Sequence, residues 1–350
     1  MQRRRATVIL SATALAATSV IGVVASGSTT ASAAGSDGWY VAMGDSLAAG
    51  YQPGQGDDKT GGYVGGVLAG AKKSGSDLQL KNFACSGEDT TTMTSGAICG
   101  SYDEGTNQLA AAESFLKTHP TTRLITLDIG ANDVQRCAKG SNVDLPCITA
   151  GLQKVATNLP PILTRIRAAA PDARIVVANY YNPFLAAWLL GPDGQSLAKV
   201  SVNLQRSLNS TIDGAAKGVN ARVADVGAAF KSEDFTSSTT PSPVDPTAKL
   251  PTNVALICAW TWMCAKNDIH ANDTGYGVIA RTVLGVVGTL PTPTPTPTGE
   301  PSSPTPSSPT PTGGPGSPTT TGGPTPTEQP STTPVPTPTG TATGPIVQTG

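Results

Sequence analysis

The sequence predicts an α/β fold, with helices on both faces of a mostly five-stranded parallel sheet. Five apolar runs of strand length recur between residues 39 and 226, and stretches of helical period separate them. The first three runs also stop in small or polar residues, at Gly44-Asp45-Ser46, Cys85-Ser86-Gly87 and Gly130-Ala131-Asn132. Strands of an open α/β sheet end this way at the carboxyl edge, where ligands bind.

The first strand is Trp39-Tyr40-Val41-Ala42-Met43, running straight into the turn Gly44-Asp45-Ser46-Leu47. Residues 61–73 are glycine-rich and predict a helix of modest stability. Residues 78–84 alternate apolar and polar as a second strand. Residues 106–117 space Leu109, Ala110, Phe115 and Leu116 as one helix face and stop at Pro120. The third strand, residues 123–129, is followed by Gly130-Ala131-Asn132-Asp133. A helix over residues 148–170 then precedes a strand at 174–179, and a helix over 197–216 precedes a strand at 221–226. Residues 231–253, rich in Ser, Thr and Pro, read as a long surface loop leading to the segment bracketed by Cys258 and Cys264. A last helix spans residues 273–287, capped by Asn272 or Asp273. Joined by right-handed crossovers, these elements make a three-layer α/β/α sandwich of flavodoxin-like type.

The two ends of the chain differ from this middle. Met1-Gln2-Arg3-Arg4-Arg5, the apolar residues 6–25 and Ala31-Ser32-Ala33 read as a secretory signal with its cleavage site, so the mature chain begins near Ala34. A membrane anchor that stays attached is the other reading of that stretch. Residues 291–350 hold 18 of the 30 prolines and no Lys or Arg, a composition that buries too little apolar surface to order itself. Its Pro-Thr pairs favour an extended stalk, associated with the cell wall or surface. Residues 34–290 remain as one catalytic-size domain, expected to be secreted and monomeric.

With 23 basic and 24 acidic residues the formal charge is −1, and nothing after the leader implies nucleic acid or an anionic membrane as partner. Six cysteines fall in the exported part, where disulfides form. Their grouping favours Cys85 with Cys99, Cys137 with Cys147, and Cys258 with Cys264. The spacings do not suit a zinc site, and no metal or organic cofactor is expected.

Ser46 sits where a strand end presents a hydroxyl, but a serine needs a base. Of the two histidines, His119 lies between a helix and the third strand, at the opposite edge of the sheet. His270, in Asn267-Asp268-Ile269-His270 before the last helix, is the only plausible partner.

Taken together, Gly44-Asp45-Ser46-Leu47, Gly87, Gly130-Ala131-Asn132-Asp133 and His270 resemble the blocks of the SGNH hydrolases, also called GDSL esterases and lipases. The resemblance implies Ser46 as nucleophile, His270 as general base, and an oxyanion hole of the Ser46 N–H, the Gly87 N–H and the Asn132 side-chain amide. It implies hydrolysis of carboxylic esters through an acyl-enzyme. The usual family aspartate stands three positions before the histidine, where this chain has Asn267; Asp268 stands two before. Either Asp268 or a backbone carbonyl near Asn267 orients the ring, and the reading adopted is Asp268. Asp45 and Asp133 are expected to bond neighbouring loops rather than do chemistry.

The ester itself stays open among lipids, acylated small molecules and acetylated glycans. Residues 183–190, Pro-Phe-Leu-Ala-Ala-Trp-Leu-Leu, line an acyl pocket or pack as a buried helix, and Trp260 with Trp262 would form an aromatic rim suited to glycan. A non-catalytic surface-displayed binding module on the same fold is the reading from a different class.

Overall fold

A computed structural model describes residues 36–292, apart from 97, 101, 103–105, 140–141, 244 and 246. The expected leader and, from residue 293, the expected stalk lie outside the described residues.

The centre is one five-stranded sheet, all parallel: β1 Trp39–Gly44, β2 Gln79–Asn82, β3 Thr122–Asp128, β4 Arg174–Ala178 and β5 Arg222–Ala224. The order is β2-β1-β3-β4-β5, the flavodoxin-like arrangement the sequence predicts. Parallel strands covered on both faces are apolar without alternation, and Val41, Ala42 and Met43 in β1, like Val176 and Val177 in β4, are fully buried.

One face carries helices Gly62–Lys73 and Asp273–Val287, packed on each other; the other carries Gln108–Thr118, Leu145–Ala169 and Pro192–Gly218. The glycines of the first helix serve that packing. A Cβ at Gly66 would stand 2.7 Å from the Ala280 Cβ, so the two backbones approach more closely than alanine allows. Asn107, Asp144 and Asn272 cap their helices through side-chain oxygens, Asn272 accepting from the Gly275 N–H at 3.1 Å.

One segment differs from expectation. Within 231–253, strands Ser237–Pro241 and Lys249–Pro251 pair as an antiparallel hairpin, with Leu250 buried and a helix beginning at Thr252. Residues Pro183–Leu190 form a 3₁₀ helix in which Leu185 enters the core while its neighbours face a cavity.

Candidate active site

Ser46 lies in the turn that leaves β1, and much of the surrounding polar structure fixes that turn. The Asp45 N–H donates to the Asp128 carbonyl at the end of β3 (3.1 Å), and the Ala48 N–H to Asp128 Oδ2 (3.3 Å). Asp45 Oδ1 accepts from the Leu47 N–H (3.0 Å), and Asp45 Oδ2 from the Tyr180 hydroxyl (2.7 Å). From behind, the side chain of Gln108 clamps the Gly44 peptide, accepting its N–H at 2.7 Å and donating to its carbonyl at 2.9 Å. Ser46 itself is only 7% exposed, and its Oγ is 2.8 Å from His270 Nε2.

The histidine is held as firmly. Asn267 takes the left-handed conformation (φ 53°) after the short helix Met263–Lys266, and that turn aims the next residue back at the ring. Asp268 Oδ1 then accepts the His270 N–H at 3.0 Å and lies 2.7 Å from His270 Nδ1. A carboxylate only accepts, so Nδ1 carries the proton and Nε2 is left to accept from the Ser46 hydroxyl. The loop is braced by the Trp262 N–H on the His270 carbonyl (2.9 Å), the Tyr181 hydroxyl on the Ile269 carbonyl (2.7 Å), and the Tyr51 ring 4.3 Å from the imidazole.

His119 caps the helix Gln108–Thr118, stacks on Phe115 and touches Trp39 at the start of β1, so it belongs to the amino edge of the sheet.

Gly87 has φ +86°, a conformation that favours glycine, and the space where a Cβ would stand is open, 4.0 Å from Ile98. Among the described residues, no acceptor takes the N–H of Ser46 or Gly87. Asn132 donates one amide hydrogen to the Glu88 carbonyl at 2.8 Å, which draws it to the Gly87 loop and leaves its second hydrogen for a ligand. Asp133 accepts from the Thr90 N–H (3.0 Å) and hydroxyl (2.7 Å), joining the same two loops.

All three disulfides stand beside this edge. Cys85–Cys99 ties down the Gly87 loop, Cys258–Cys264 staples the segment that pairs with the His270 loop, and Cys137–Cys147 closes the small hairpin before the helix Leu145–Ala169. Among the described residues, no group of three or more His, Cys, Asp or Glu side chains is placed to hold a metal ion.

Below Ser46 and His270 opens a cavity of about 740 Å³. Its walls are Val134, Ile148, Leu152, Leu204 and Leu208 from the helices, with Pro183, Phe184, Leu189 and Leu190 from the 3₁₀ segment. Gly87 and Asn132 do not line it, although Ala131 and Val134 on either side of Asn132 do. Trp260 and Trp262 do not line it either: Trp260 packs edge-on against Phe230, and the Trp262 indole donates to Gln52.

Asp128, Tyr180 and Gln108 are absent from the motif reading. A polar residue near the end of an otherwise apolar strand is the signal that Asp128 offered. Burial pushes the carboxyls of Asp45 and Asp128 up, Asp128 well above the usual carboxylate range, with the Asp45 charge beside it as the next cause. Both carboxyls are thereby held toward their protonated forms. The folded protein therefore binds more protons here than the unfolded chain does. The stability from this pair is fully present below the ordinary range near about pH 4 and is lost as pH rises through the raised folded values. Asp128→Asn keeps an acceptor for the Tyr63 hydroxyl (2.6 Å) and cannot ionise. It is expected to flatten that loss in urea unfolding measured at several pH values, and an unchanged slope would contradict a raised Asp128 carboxyl. Asp128→Ala leaves Asp45 buried without its partner and is expected to destabilise by about 3 kcal/mol.

Residues 42–278 match the GDSL-like Lipase/Acylhydrolase family. None of the curated proteins matches the chain. Similar solved structures include Axe2, an acetylxylan esterase from Geobacillus stearothermophilus (17% identity over 73% of this chain and 96% of that one, TM-score 0.44). Phospholipase A1 from Streptomyces albidoflavus NA297 has 20% identity over 63% of this chain and 98% of that one, TM-score 0.39. A lipase from a goat rumen metagenome has 17% identity over 71% and 97%, TM-score 0.44.

Proposed function

We propose, for a chain that belongs to the GDSL-like lipase/acylhydrolase family and is a carboxylic ester hydrolase, a long-chain acyl ester as substrate and an acyl-enzyme on Ser46 as intermediate. Ser46 Oγ attacks the ester carbonyl carbon while its proton passes to His270 Nε2. Negative charge gathers on the carbonyl oxygen, where the N–H groups of Ser46 and Gly87 and the Asn132 amide donate to it without reorganising. Asp268 holds the ring in its reactive tautomer and stabilises the imidazolium that forms. His270 then returns the proton to the departing alcohol oxygen. In the second half water attacks the acyl carbon, gives its proton to His270 Nε2, and releases the acid with the Ser46 hydroxyl restored. The 2.8 Å and 2.7 Å contacts of His270 support these roles.

The cavity carries the choice of substrate. A passage walled by leucine, isoleucine, valine and phenylalanine and opening at the nucleophile offers an acetyl group nothing it needs, whereas an alkyl chain gains about 0.8 kcal/mol per buried methylene. Export along the reading of residues 1–33 fits the disulfides, which form in oxidising compartments.

Turnover of p-nitrophenyl esters of graded length by the full chain tests the substrate. The value of kcat/KM is expected to climb by up to about fourfold per methylene from acetate until the cavity is filled. Leu204→Trp, which fills part of the cavity wall, is expected to shift the optimum to shorter chains with acetate turnover little changed. A profile that peaks at acetate, or an optimum that Leu204→Trp leaves in place, would contradict a chain-holding cavity.

A further inference from the structure

We infer that the mouth of the cavity is a docking surface for a neutral lipid–water interface, an inference that rests on the long-chain reading above. The observation is where the exposed apolar side chains lie. Among the described residues, four large hydrophobic side chains stand out as exposed: Leu190 (70%), Leu145 (53%), Val200 (49%) and Ile98 (45%). Every one is at the active edge. Leu190 and Val200 are themselves part of the cavity's rim. Leu145 opens the helix whose next turn supplies Ile148 to the wall, three residues on and therefore on the same side. Ile98 stands over Gly87.

Single exposed leucines are ordinary on a protein surface. That all four gather at one edge of the sheet, two of them lining the apolar cavity, is not, because scattered residues would be spread over the helices of both faces as well. The rim continues the cavity wall outward: Leu189 and Leu190 end the 3₁₀ segment that lines it, and Val200 lies beyond the turn at Gly191 on the helix that follows. An acyl chain entering from a lipid aggregate brings the aggregate's surface against that rim, whereas an ester free in water does not need it. The occupant is therefore a lipid surface. It is a neutral one, since the chain has a formal charge of −1 and no basic run after residues 3–5 to favour anionic headgroups.

The test uses the full chain carrying Ser46→Ala, so that the lipid is not consumed, with sucrose-loaded phosphatidylcholine vesicles and sedimentation. The protein is expected to pellet with the vesicles and to do so nearly equally at low and high salt. Adding Leu145→Ser and Ile98→Ser is expected to lower the partition at least about tenfold, through lost apolar burial. In the otherwise unaltered chain, the same two substitutions are expected to leave hydrolysis of water-soluble p-nitrophenyl butyrate within about twofold. Protein that stays in the supernatant while the parent chain hydrolyses butyrate would overturn the docking surface and leave the esterase standing. Equal pelleting with and without the two serines would overturn it too, as would a dimer in solution that the two serines dissociate. A parent chain that is folded, oxidised and inactive on every ester would instead remove the reading on which the inference rests.

Discussion

Replacing Ser46 by alanine is expected to lower kcat on every ester by about 10⁴-fold or more, and His270→Ala to do the same. The two losses are expected not to add, because each removes the same step: without Oγ there is nothing to attack, and without Nε2 nothing takes the proton. Neither change should unfold the protein. Among the described residues, Ser46 Oγ bonds to the imidazole alone, while the turn around it is fixed by Asp45, Asp128 and Gln108, which remain. Far-UV circular dichroism and urea midpoints of both variants close to the parent's, beside the lost turnover, would complete that result. A Ser46→Ala chain with a tenth of the parent's activity would contradict it.

Asp268→Asn is the second large effect, expected to cost about 10³- to 10⁴-fold in kcat with KM little changed. Asp268 accepts both the His270 N–H and the ring Nδ1–H, so it sets the loop and the tautomer together. An asparagine can present its NH₂ to Nδ1. The ring proton then sits on Nε2, facing the serine, and no lone pair is left to take the hydroxyl proton. A loss below about tenfold would mean that the loop braces at Trp262, Tyr181 and Tyr51 orient the ring well enough without the carboxylate.

This aspartate also marks how far the sequence reaches. The family spacing points to position 267, which is asparagine, and the sequence alone left a carboxylate and a carbonyl as alternatives. What decides the geometry is a backbone fact: Asn267 adopts φ 53°, a conformation asparagine tolerates better than most residues, and the chain reverses so that the carboxylate two places before the histidine meets the ring. The five strands and the order of the blocks were legible because parallel strands must be apolar and must end at one edge. The network under Ser46 was not, since Asp45 finds Tyr180 at a separation of 135 residues and Gly44 finds Gln108 at 64, pairings that no local pattern encodes. The hairpin within residues 231–253 escaped for a different reason: Ser, Thr and Pro carry no alternation to announce a strand. For Pro183–Leu190, hydrophobicity is equally consistent with a core and with a cavity wall, and the 3₁₀ geometry uses the one stretch for both.

The most direct test of the account is covalent. A long-chain alkyl fluorophosphonate, which resembles the acyl substrate and stays on an activated serine, would be reacted with the full oxidised chain and the peptides weighed. The account predicts one adduct, on the peptide bearing Ser46, formed faster with longer alkyl chains and absent in His270→Ala. An adduct on another residue, or none on folded protein, would contradict Ser46 as the nucleophile; a rate indifferent to chain length would contradict the cavity as the site of the acyl chain.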